Sequence, residues 1–91
     1  MERKEVEKIV KETIFEKMGE FTGLNHAAEI DNEDGLATDM AMDSFDLLEV
    51  LMEIEEKIGI RISDDVFGDK PVDELTVGIF ADMLYDWFKS K

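Results

Sequence analysis

The residue with the clearest chemical potential is Ser44, which stands at the predicted start of an acidic helix. Residues 43–56, DSFDLLEVLMEIEE, contain six carboxylates and neither lysine nor arginine. A hydroxyl at a helix start can accept a backbone N–H as an N-cap, although Asp43 competes for that role. The same position suits a covalently attached phosphate, because free N–H groups and the helix dipole favour negative charge there. The residues alone leave a capping role and a modification role open for Ser44.

Catalysis by Ser44 would require a nearby base and an acid that orients it. The chain has one histidine, His26, in the loop before the helix, and no G-x-S-x-G elbow surrounds the serine. The acidic run at residues 31–35 does not match an EF-hand calcium loop, because its sixth and twelfth positions are Leu36 and Met42 instead of Gly and Glu. A loose, nonspecific cation site there stays open. We therefore expect no catalytic residue and no specific metal site.

The acidic helix also has features of a docking surface. Leu48 and Met52 are spaced i to i+4 and lie off the main apolar stripe of this helix. Exposed apolar residues flanked by acids suit a partner with basic residues and a small apolar groove. An ordinary solvated face is the alternative, although the helix dipole does not explain acids in the last turn. The predicted docking residues are Asp46, Leu48, Glu49, Met52, Glu53, Glu55 and Glu56.

The composition is that of a small acidic globular protein. The 91 residues carry a net charge of −14, include no cysteine and are 44% hydrophobic, which favours one folded domain over residues 1–91 and excludes disulfides. No run is long enough for a membrane span, and the first residues are too charged for a signal peptide, so we expect a cytoplasmic protein. The charge repels nucleic acids and anionic membranes, attracts basic protein surfaces and should make stability depend on salt.

Apolar spacing predicts an all-α fold, a small up-and-down bundle of three main helices plus one short helix. Gly19 should end the first helix, Thr76 should cap the last, and the short helix should begin after Ser63. The main helices are expected at residues 2–18, 44–58 and 76–89.

The connections between these helices differ in length and in expected role. Residues 60–62 form a short connector whose two isoleucines should reach the core. The connection at residues 19–43 is long enough to need a functional reason. Five apolar residues could pin it to the core, namely Phe21, Leu24, Ile30, Leu36 and Met40.

Two motifs resemble those of the acyl carrier protein family. The run Asp43-Ser44-Phe45-Asp46, followed by LLEVLMEIEEKIGIRISDD, resembles the family signature, an Asp-Ser-Leu-like motif that opens an acidic second helix. The glutamate-rich end of that helix, the Ile-Arg-Ile stretch and the acidic short helix after it are also similar to family members. Near the C-terminus, Leu75-Thr76-Val77-Gly78 resembles the entry to the family's last helix. The resemblance is strongest over residues 39–65.

The resemblance implies a carrier and not an enzyme. Ser44 would be esterified by 4′-phosphopantetheine, donated from coenzyme A by a phosphopantetheinyl transferase, with Asp43 and Phe45 flanking the attachment site. The arm ends in a thiol that holds acyl groups as thioesters, which suits a chain without cysteine. The acidic second helix would dock on basic patches of acyl-loading and acyl-transferring enzymes. The implied protein is a monomer without nucleic-acid or membrane partners.

Several positions depart from the family pattern. Phe45 stands where leucine is usual, Met42 where a small residue is common, and residues 66–71 lengthen the connection before the last helix. The C-terminal aromatic residues Tyr85, Trp87 and Phe88 are also unusual. These departures favour a specialised carrier over a housekeeping carrier of fatty acid synthesis.

The cargo and the class of carrier stay open at this point. Met40, Met42 and Met52 could form an adaptable shelter for an acyl chain near the attachment site. A carrier for aminoacyl or D-alanyl groups would share the serine and differ in its partners. An acidic interaction module without the arm, and an acidic mimic of nucleic acid, would not depend on Ser44.

Overall fold

Three α-helices and three short 3-10 helices form the protein in this computed structural model, which describes residues 1–90, except the side chain of Asp64. Within residues 1–90 there is no β-strand, and one isolated bridge pairs Gly35 with Thr76. The predicted all-α class is therefore confirmed. The helices are α1 (Arg3–Thr22), α2 (Ser44–Ile58) and α3 (Val77–Lys89), and the 3-10 helices are Ala27–Glu29, Asp64–Phe67 and Val72–Glu74.

α1 continues one turn beyond its predicted end. It passes through Gly19 and ends at Gly23, which has a φ of 74° in the left-handed region that favours glycine. Gly19 is instead buried inside the helix, where an added Cβ would lie 3.2 Å from the Phe15 ring. The longer helix carries Phe21 on its surface, where its side chain is 74% exposed. The prediction that Phe21 pins the loop to the core is therefore wrong.

The predicted bounds of α2 and α3 are close to those in the structure. α2 spans the predicted residues 44–58, and α3 begins one residue later than expected because Thr76 is its cap, with its Oγ1 accepting the Ile79 N–H at 3.1 Å. The short helix expected after Ser63 is present as a 3-10 helix that Ser63 caps, and a second 3-10 helix begins after Pro71.

The core lies where α1 packs against both α2 and α3. Each helix contributes its apolar stripe, and the connections add further buried side chains. The ring of Phe67 meets the fully buried ring of Phe80 edge to face, with 5.0 Å between the ring centroids. The helical core residues are Val6, Val10, Ile14, Met18, Leu47, Val50, Leu51, Ile54, Val77, Phe80, Ala81 and Leu84.

The long connection between α1 and α2 is held against the start of α3. Backbone N–H groups of Leu36, Val77 and Gly78 donate across this contact, the last of them to Asn32 at 2.8 Å. Gly78 permits this approach, because an added Cβ would lie 3.0 Å from the Asn32 carbonyl oxygen. The predicted anchors Ile30, Leu36 and Met40 are buried, Leu24 is partly buried, and Met42 is a further buried anchor. The loop thereby delivers the chain to the start of α2 at a defined place.

None of the helices in the described part of the chain is long and apolar enough to cross a membrane.

Candidate functional site

Ser44 is the first residue of α2 and does not cap it. Asp43 is the N-cap, with its Oδ1 accepting the Asp46 N–H at 2.9 Å. In return, Asp46 Oδ2 accepts the Asp43 N–H at 3.1 Å, which completes a reciprocal capping box. Ser44 is exposed, and its hydroxyl has no hydrogen-bond partner among residues 1–90. The capping role considered for Ser44 is therefore wrong, and its hydroxyl is available for modification.

A strained turn brings the chain to Ser44. Ala41 has a φ of 57°, in the left-handed region where a non-glycine residue loses roughly 1–2 kcal/mol. The turn is held by the Gly35 carbonyl, which accepts the Met40 N–H at 3.1 Å, and by Leu36, whose carbonyl accepts the Met42 N–H at 2.9 Å. Met40 and Met42 on either side of Ala41 are each 3% exposed. The buried methionines stabilise the strained turn and so fix the position of Asp43 and Ser44.

Met52 does not join these two methionines. Its side chain is 62% exposed on the outer face of α2, whereas Met40 and Met42 lie in the core. The prediction that Met52 shelters an acyl chain together with Met40 and Met42 is therefore wrong for Met52, because its side chain faces solvent and theirs are buried in the core.

Negative charge near the hydroxyl is stabilised by the helix start. The backbone N–H of Asp46 is the main reason that the pKa of Asp43 lies below its ordinary value. The first turn of a helix also offers N–H groups without helical partners and the positive end of the dipole. A phosphodiester bonded to the Ser44 oxygen fits this position, because the same groups favour its negative charge.

An apolar strip runs along the outside of α2 and onto the connector after it. We define it as Phe45, Leu48, Met52 and Ile60, which are 75%, 43%, 62% and 47% exposed. The exposure predicted for Leu48 and Met52 is present. Ile60 was expected in the core, but only Ile62 is buried there, at 4% exposure. Strand-like alternation along residues 60–62 would place both isoleucines on the same side, so the sequence pattern gives no signal that Ile60 is exposed while Ile62 is buried.

The acids predicted for docking fall into two groups in the structure. Glu53 and Glu56 are exposed and form no ion pair within the described residues. Glu49 pairs with Lys17 of α1 at 2.7 Å. Glu55 is half-buried, and its Oε2 accepts the Ile62 N–H at 2.6 Å. Together with the cap partner Asp46, Glu49 and Glu55 already have partners within the fold.

The model of the family described as "Phosphopantetheine attachment site" matches residues 12–84. This chain belongs to that family, the acyl carrier proteins. It is 37% identical over 60 residues to the acyl carrier protein of Nitratidesulfovibrio vulgaris strain DP4, covering 66% of this chain and 72% of the relative. It is 38% identical over 56 residues to the acyl carrier protein of Solidesulfovibrio magneticus, covering 62% of this chain and 65% of the relative. The resemblance stated from the sequence is confirmed.

The cofactor of an acyl carrier protein is 4′-phosphopantetheine, held covalently, and its role is that of a carrier that works with partner enzymes. The fit to this chain is chemical: the protein has no thiol of its own and presents, at a helix N-terminus, a hydroxyl with no hydrogen-bond partner within the described residues. When bound, the cofactor supplies the thiol on which an acyl group is held as a thioester.

His26 and the acidic loop, which the sequence raised as catalytic and cation-binding candidates, form local hydrogen bonds. The Glu29 carboxylate accepts the N–H groups of Asn25 and His26 at 2.7 and 2.8 Å. Among residues 1–90, no hydrogen bond joins His26 to Ser44. In the acidic loop, Asp34 Oδ2 accepts the Asp31 N–H at 2.8 Å. The described residues contain no group of three or more His, Asp or Glu side chains that could hold a metal ion.

Proposed function

We propose that Ser44 is the attachment residue for the phosphopantetheine arm, and that the protein presents acyl groups to partner enzymes without catalysing a reaction itself. The observation that carries this proposal is the exposed Ser44 hydroxyl at the first position of α2, which has no partner in the described part of the chain because Asp43 caps the helix instead. Asp43 and Phe45 flank the attachment oxygen and are the residues that a phosphopantetheinyl transferase would contact.

The fold contributes position and not chemistry. The buried residues Met40 and Met42 hold the turn before the attachment site, so the arm would start from a fixed point on an otherwise open surface. A tether of this kind raises the effective concentration of its cargo at a docked enzyme without any additional contact. A carrier of this design leaves bond making and breaking to its partners.

The outer face of α2 is the proposed docking surface. Its apolar strip and the exposed carboxylates of Glu53 and Glu56 complement an enzyme surface with basic residues around an apolar groove. Docking by exposed charges is fast and adds little lasting affinity, which suits a carrier that must leave after each transfer.

The cargo we favour is an apolar acyl group of fatty acid, lipid or secondary-metabolite synthesis. Phe45 at the attachment site and buried Met42 just before it give the site an apolar character, which an aminoacyl cargo does not require. The proposal includes one domain over residues 1–91, a monomer and a cytoplasmic location. Loading with acyl and aminoacyl donors in parallel, followed by mass measurement, tests the cargo.

Intact mass tests the attachment residue. The protein is incubated with coenzyme A and a broad-specificity phosphopantetheinyl transferase, beside Ser44→Ala and Ser63→Ala variants. Ser63 is a matched control, because it is also an exposed serine at the start of a helical turn, but its hydroxyl is hydrogen-bonded to Asp65. We expect one phosphopantetheine on the wild type and on Ser63→Ala, and none on Ser44→Ala. Modification of Ser44→Ala, or of no variant, would contradict the proposal.

A further inference from the structure

A groove of about 500 Å³ lies beside the C-terminal half of α2. Its walls come from three separate parts of the chain, namely α1, α2 and the connector after α2. The lining combines carboxylates with two apolar side chains of the strip and two cations, and includes Glu49, Glu56, Met52, Ile60, Lys17 and Arg61. The groove therefore includes residues outside α2, the helix for which the sequence predicted a docking surface.

The Glu49 carboxylate in the groove already forms an ion pair within the protein, with Lys17. Lys17 Nζ donates to Glu49 Oε2 at 2.7 Å, and the two side chains remain 27% and 51% exposed. Glu49 raises the pKa of Lys17 above its ordinary value, so the lysine stays protonated throughout the physiological range. A cationic side chain that approaches Glu49 therefore meets a carboxylate that is already paired with Lys17.

The fold does not depend on this contact alone to join α1 and α2. Lys57 of α2 also reaches α1, where its Nζ donates to Glu16 at 2.8 Å and to Thr13 at 3.0 Å. The apolar stripes of the two helices are packed in the core beneath both contacts. An exposed ion pair is also among the weakest interactions in a protein. The Lys17–Glu49 pair can therefore open without loss of the fold.

We propose that Lys17 competes with partner enzymes for the Glu49 carboxylate. A lysine or arginine side chain of the partner displaces Lys17 from Glu49 when it enters this groove. The choice of occupant rests on charge and shape: Glu53 and Glu56 add two carboxylates that form no ion pair within residues 1–90, and Met52 and Ile60 offer apolar surface to the stem of a long basic side chain. This inference rests on the docking surface of the proposed function.

The consequence is selectivity. The binding free energy that a partner gains at Glu49 is the difference between its own ion pair and the ion pair with Lys17 that is broken. A partner with a single basic residue therefore gains little affinity there. A partner that also reaches the free carboxylates of Glu53 and Glu56 is favoured over it. Lys17 is in this sense a specificity-determining residue on a helix that the sequence did not connect with docking.

A binding experiment with a broad-specificity phosphopantetheinyl transferase tests the proposal. Dissociation constants are measured by calorimetry in the Ser44→Ala background, where no modification occurs, for Lys17→Ala, Lys17→Arg and Lys8→Ala. Lys8 is the matched control, because it also lies on α1, is exposed and forms no ion pair within residues 1–90. Both alanine variants change the net charge equally, so only the loss of the competitor distinguishes them. A second set adds Glu49→Gln to each variant.

Lys17→Ala should bind about two- to five-fold more tightly than Lys8→Ala, the range that an exposed ion pair of this kind is worth. Lys17→Arg should bind as the parent does, and the gain should vanish with Glu49→Gln, because no carboxylate is then released. Equal affinities for the two alanine variants, a gain that survives Glu49→Gln, or no binding by any variant would overturn the proposal. Attachment at Ser44 is decided separately by mass, so a failure of this inference is distinguishable from a failure of the proposed attachment.

Discussion

Glu55 and Glu56 are adjacent glutamates that the structure separates into different roles, and this difference predicts different effects of substitution. Glu55 accepts the N–H of buried Ile62 at 2.6 Å, whereas Glu56 is exposed and unpaired within the described residues. A hydrogen bond to a charged group contributes ~1.5–3 kcal/mol, and a half-buried one lies toward the lower end. Glu55→Ala should therefore lower the free energy of unfolding by about 1–2 kcal/mol. Glu56→Ala should change it by less than about 0.5 kcal/mol.

Thermal unfolding followed by circular dichroism measures this difference. For a domain of this size, 1 kcal/mol corresponds to about 4–8 °C in Tm, so Glu55→Ala should melt at least several degrees below Glu56→Ala. Both variants gain the same helix propensity from alanine, so the comparison isolates the contact with Ile62. Glu55→Gln keeps an acceptor oxygen and should recover most of the loss. Equal melting temperatures for the two alanine variants would refute the assignment of Glu55 to the fold.

Three further predictions concern the core, the net charge and the cap. Phe80→Ala removes a fully buried ring that packs on Phe67 and should cost ~3–5 kcal/mol in urea unfolding. Because of the net charge of −14, Tm should rise as NaCl is raised from a few millimolar to about 0.15 M, and a flat profile would contradict this. The pKa of Asp43 is lowered in the fold, so its stabilisation is complete above the ordinary aspartate pKa and is lost as pH falls through the lowered value. Asp43→Asn keeps a capping oxygen and should flatten that acidic limb of Tm against pH.

The sequence predicts the parts of the fold that depend on local pattern. The apolar stripes of α2 and α3 and the cap at Thr76 follow from spacing and residue type over a few positions. The end of α1 does not, because Gly19 and Gly23 are equally good stop signals in one dimension. In the structure Gly19 lies beside the Phe15 ring inside the helix, and Gly23 takes the left-handed cap conformation.

Contacts of α2 with other parts of the chain account for most of what the sequence did not predict at the site. Glu49 and Glu55 were grouped with Glu53 and Glu56 because all four are acids on one helix. The partner of Glu49 is 32 residues away on α1, and that of Glu55 is a backbone N–H on the connector. Neither pairing has a sequence signature, so a run of like charges could be recognised as a surface but not divided by function.

The caps at both ends of α2 and its buried inner stripe stabilise the helix. Asp43 caps one end, Gly59 with a φ of 70° closes the other, and the inner stripe is buried in the core. Phe45 and Met52 lie mostly exposed on the outer face of α2, at 75% and 62%, and exposed apolar side chains grouped in a strip are typical of interaction sites. Because such a helix is stabilised by its ends and its inner face, its outer residues can differ from one carrier to another while Ser44 stays in place. Phe45 beside the attachment site and Ile60 at the far end of the strip are the positions where this carrier would distinguish its own partners from those of other carriers.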